Sequence, residues 1–152
     1  MQYRGVSLGL PQVVERLTWK KFMKVFVADD QQGWGFNVRL QQTALDEPCE
    51  PLTDKKGKPL RFGRYGLRPA QKGEFEDFES PPLVLDYGAC EGRSFDPMRC
   101  LRDPLVALNP DDLSVLLGMT YLSLAGQRVA TPSFFSLRRV GERSYNWSDE
   151  SP

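Results

Sequence analysis

The sequence predicts a mainly β fold, an antiparallel barrel or sandwich of five to eight short strands, with an N-terminal helix and a short helical turn near 96–102. Three observations carry this. Residues 113–140 read as two alternating arms around a glycine turn, the strongest fold signal in the chain. Residues 34–41 repeat the same period-two pattern. Elsewhere, short apolar runs are joined by turns rich in proline and glycine, and such runs commonly curl into a sandwich or small barrel.

Taken in order, Pro11 fits the first turn of a helix, and Val14, Leu17, Phe22, Val25 and Phe26 recur at three- and four-residue steps. This predicts an amphipathic helix over 11–28. The rival reading makes FMKVFVA a strand, with Phe22, Lys24 and Phe26 on one face. Next, Trp34, Phe36, Val38 and Leu40 alternate with Gly35, Asn37, Arg39 and Gln41, as a half-buried strand requires. The stretch 44–59 holds three prolines, a glycine and mixed charges, and reads as a connecting loop rather than core. RFGRYGL reads as a solvated hairpin. Leu83, Leu85 and Tyr87 form a short strand, Asp96-Pro97 caps one or two helical turns that Pro104 ends, and LVALN is a further short strand.

The closing hairpin places Leu113, Val115, Leu117, Met119 and Tyr121 on a wholly apolar face that must be covered. Ala125, Gly126 and Gln127 read as its three-residue loop. Its second arm puts Val129, Thr131, Ser133, Phe135 and Leu137 on one side, which predicts that Leu117 and Phe135 share one core. Pro132 lacks a donor and marks either a sheet edge or a bulge. The whole gives one β-rich domain over 1–143 and a polar, flexible tail over 144–152.

Composition narrows function. The 20 basic and 20 acidic residues balance, so no global field points to nucleic acid or an anionic membrane. Cys49, Cys90 and Cys100 lack paired spacing, which suits a reduced, cytoplasmic chain. No apolar run approaches the ~20 residues that span a bilayer. Histidine is absent, which removes the commonest general base and transition-metal ligand. There is no GxSxG elbow, no phosphate-binding GxxxxGK[ST] and no metal-ligand spacing, so the expectation is a non-enzymatic protein without cofactor or metal.

Seven basic residues fall between Lys55 and Lys72 with Phe62 and Tyr65 among them. An RNA reading would stack bases on those rings. A solvated segment balanced by Glu74, Glu76, Asp77 and Glu79 outweighs it, and nucleic acid is not the expected partner. The candidate ligand-binding set is Trp34, Phe36, Tyr87, Tyr121 and Phe135, with Arg39 or Arg138 orienting a polar end. The alternative is that these rings simply fill a core.

LLGMTYLSL followed after a glycine by FFSLRR, with DPMRCLRDPLVALNPDDLSVLLG before it, resembles the terminal hairpin of calycin-type (lipocalin-like) barrels over residues 95–140. The resemblance implies a barrel with an interior cavity that binds a small apolar molecule without catalysis. The second reading is an accessory or scaffold subunit that binds another protein, suggested by the loop 44–59, the charge blocks and Trp147.

Overall fold

Alternation gives each strand two faces, and pairing must then satisfy both of its edges. In the computed structural model, which describes residues 1–8, 20–28, 33–90 and 96–141, eight strands do so by forming a closed ring. They are β1 (Gln2–Leu8), β2 (Lys21–Val27), β3 (Trp34–Arg39), β4 (Arg61–Pro69), β5 (Leu83–Asp86), β6 (Leu101–Asn109), β7 (Asp112–Leu124) and β8 (Gln127–Arg139). Each pairs antiparallel with the next, and β8 returns to β1 with Gly5 opposite Leu137. Closure removes the open edge that a sheet otherwise exposes.

The predicted helix over 11–28 is replaced, where the chain is described, by β2 at 21–27; residues 11–19 lie outside the described residues. The reason is that both faces of β2 are covered. Phe26 belongs to the interior cluster and Phe22 packs against it, while Met23 and Val25 join a second cluster outside the ring. A strand buried on both sides loses the period-two signature. The stretch 44–59 supplies the outer cover: Pro51 bridges to Leu40, Cys49 packs against the outer cluster, and Lys21 Nζ donates to Ala44 O at 2.9 Å. It is therefore part of a core and not only a connection.

Other expectations shift in register. RFGRYGL is not a hairpin but the start of the single strand β4, which carries an extra residue at Gly63, where φ is +52° and the register against β3 slips. The helical turn is one 3-10 turn, Pro97–Cys100, whose cap Asp96 accepts from Met98 N at 2.9 Å. Pro104 does not end it; Pro104 lies within β6, opposite Val84. Pro132 sits where β8 bulges, because Met119 faces Phe134 while Tyr121 faces Ala130. The hairpin loop has two residues, Ala125 and Gly126, both with positive φ as a type I′ turn requires. Cys49, Cys90 and Cys100 are free thiols.

The largest correction concerns the closing hairpin. On β7 the inward side is the mixed one, Leu116 and Gly118 facing Leu137 and Phe135, and the wholly apolar side points outward, beside Phe134, Ser136 and Arg138 of β8. Phe135 occupies the space above Gly118, where a Cβ would come within 2.3 Å of its ring. Gly5 lies under Phe22 and Gly35 under Tyr65 in the same way. The interior of the ring is narrow, and rings fill it over glycines.

Candidate functional site

At the centre of the barrel stands a charged side chain. Lys24 continues the inward series of Phe22 and Phe26, and its ammonium is enclosed by the rings of Phe22, Tyr65, Tyr87 and Phe135 at 5.1 to 5.6 Å from their centroids. Nζ donates to Tyr87 Oη at 2.6 Å, to Asn37 Oδ1 at 3.0 Å and to Asp103 Oδ2 at 3.3 Å. Tyr87 Oη donates in turn to Asp103 Oδ2 at 3.1 Å. Burial presses Lys24 toward its neutral form, and the Asp103 carboxylate opposes that shift. The phenols of Tyr65 and Tyr87 are pushed well above their ordinary range, first by burial and then by Asp103. Tyr3, Phe26, Leu85, Leu105 and Leu137 pack around this node, and Asp103 Oδ1 is buried with no hydrogen-bond partner among the described residues.

The seven residues expected to line a ligand site are thereby divided. Tyr87 and Phe135 meet at the node. Trp34 and Phe36 lie outside, under the guanidinium groups of Arg64 and Arg61 at 4.3 and 4.6 Å. Arg39 stacks on Phe62 at 5.7 Å. Tyr121 also faces outward and is covered by Phe75 at 5.0 Å. Arg138 is exposed on β8. Of the two rings an RNA reading needs, Tyr65 is fully inside, its hydroxyl donating to Val25 O. Arg68 is held by Glu74 at 2.7 Å and Asp86 at 3.0 Å, so part of the basic stretch is balanced by the acids that follow it.

What the structure presents to the outside is the apolar side of the hairpin. Register gives its layout. One row runs Leu8, Phe134, Met119; the next runs Val6, Ser136, Leu117, Val106; a third runs Arg4, Arg138, Val115. Phe134 is 47% exposed and Leu8 40%. On the far side of β6 this wall meets a groove of about 720 Å³, floored by Leu105, Val106, Leu108 and Pro110 and bounded by Asp77, Phe78 and Glu79. The wall was legible as a pattern, Leu113 to Met119, but the pattern does not say which side of the sheet it occupies. Lys24, Asn37 and Asp103 carried one signal only, a lone lysine inside an apolar run. No protein-family model, curated protein or solved structure matches the chain.

Proposed function

We propose that this chain is a non-enzymatic protein-binding module, an accessory or scaffold subunit of a larger assembly, that docks through the outer wall of β6, β7 and β8. The observation that carries the proposal is the outward direction of the apolar side of β7. Phe134, Leu113 and Leu108 are each about half exposed along it, beside the partly covered Val115, Leu117 and Met119. Monomers seldom leave large apolar patches in water, and such patches mark interaction sites. The groove beside Leu108 would receive a side chain of the partner, as buried anchors do in stable interfaces. The calycin-like relationship remains part of this reading, with the binding surface moved from the lumen to the wall.

Site-specific photocrosslinking in the producing cell tests it. A photoreactive residue in place of Met119 is expected to yield a discrete higher-mass species that the same residue in place of Lys55 does not. Identical adduct patterns at both positions, or none at Met119, overturn it.

A second reading, a small apolar molecule as ligand, is favoured by the groove, whose volume falls within the usual range for ligand sites. Native mass spectrometry should then show a co-purified mass that Val106→Arg removes. A mass-free protein with an unchanged spectrum for the variant would end that reading.

A further inference from the structure

Resting on the docking-wall reading, we infer that the partner on this wall is a second copy of the chain, related by a two-fold axis that lies in the interface and runs along the strands. The inference comes from how charge borders the apolar rows. On the β1 side the border is basic: Arg4 and Arg138 are direct cross-strand neighbours on the outer face. Two like charges set opposite each other are unfavourable until an anion covers them. Arg4 donates to Leu45 O through Nη2, while its Nε is buried and has no hydrogen-bond partner among the described residues. On the β6 side the border is acidic, with Asp77 and Glu79 exposed at the lip of the groove. Between the borders lie Val115, Leu117, Met119, Phe134 and Leu108.

Both borders lie toward the same end of the barrel. The Arg4, Arg138, Val115 row continues toward Leu108, which lines the groove that Asp77 and Glu79 bound. A two-fold axis along the strands exchanges left and right flanks and leaves the barrel end unchanged. The basic border of one copy then meets the acidic border of the other, twice, with the apolar rows closed between them. This is the self-complementarity a two-fold interface requires.

The test is the association state of the full chain by analytical ultracentrifugation. The wild type is expected to be a dimer at about 100 µM, and Phe134→Asp a monomer with an unchanged circular dichroism spectrum. Arg4→Glu with Arg138→Glu, and separately Asp77→Lys with Glu79→Lys, are each expected to weaken the dimer at least about tenfold. Mixing those two variants in equal amounts should restore it, because each contact again joins opposite charges. A wild type that is monomeric at this concentration, or a dimer unaffected by the charge reversals, overturns the inference. In either case a Met119 adduct with a different protein would leave the docking wall itself standing, whereas loss of both results removes the two together.

Discussion

Leu116 and Leu117 are neighbours of the same type on β7, and they have opposite surroundings. Leu116 faces Leu137 in the ring interior and is 8% exposed; Leu117 faces Ser136 on the outer wall. The inner side of β7 is poorer in apolar residues than its outer side, since it carries Gly118 where the outer carries Leu117 and Met119. The comparison shows that the richer side of an amphipathic strand is not necessarily its core side. In a narrow barrel the available space decides, and one phenylalanine over one glycine fills what three leucines would overfill. The surplus apolar surface is then left outside, where it can serve association.

The largest effect separating the two sides is expected at the charged node. Asp103→Ala leaves the Lys24 ammonium buried without its counter-charge, which should remove about 3–5 kcal/mol in urea denaturation, while Lys24→Met combined with Asp103→Leu should be close to neutral or stabilising. A loss below about 1 kcal/mol for Asp103→Ala would mean that Lys24 escapes the penalty, either by reaching water or by giving up its proton.

Phe135→Ala should cost about 3–5 kcal/mol, against under about 1 kcal/mol for Leu117→Ala, which removes surface already partly in water. Equal losses by thermal or chemical unfolding would break the inner and outer assignment. Gly118→Ala should cost about 1–3 kcal/mol by overpacking against Phe135, and Phe135→Leu in the same chain should recover part of it.

The smallest effect concerns the strap of residues 70–82, which joins β4 to β5 and lays Phe75 over Tyr121, and where Arg68 holds the Glu74 carboxyl below its ordinary value of 4.5. A carboxylate whose pKa is depressed by folding contributes stability that is fully present above its unfolded value and is lost as pH falls through the folded one. Glu74→Gln should therefore flatten the acid limb of stability below pH 4.5 and change little at neutral pH. An unaltered acid limb would show that the strap adds nothing to the wall's rigidity.

Strands whose apolar residues share one face were legible. Trp34 to Leu40 and the β7 arm alternate in sequence, although β3 is buried on both sides and its apolar row, like that of β7, faces outward. β2 was not, because Met23 and Val25 pack under the 41–60 excursion while Phe22 and Phe26 pack inside, and a run that is apolar at nearly every position also satisfies a helical period. β1 was missed for the opposite reason: Tyr3 and Gly5 are its inward residues, and one ring with one glycine makes no pattern. The node joins residues 24, 37, 87 and 103; Lys24 and Asn37 are cross-strand neighbours, but Tyr87 and Asp103 reach them across the lumen of the closed ring. The docking wall was visible as an apolar face requiring cover. That the chain's own described residues cover only part of it, Phe75 over Tyr121, could not be read before the lumen's capacity was known.

The pairing of the first strand with the last has a consequence for how the molecule comes into being. While the chain is being synthesised, β1 is made first and keeps one edge of its backbone open until β8 has emerged from the ribosome. Every intermediate before that moment is an incomplete ring with Lys24 partly wetted, so the burial of its charge is among the last events. Long-range closure of this kind slows folding and prolongs the time during which a bare strand edge can recruit a stranger. Nascent chains of this protein should therefore be more dependent on chaperones than their modest length suggests.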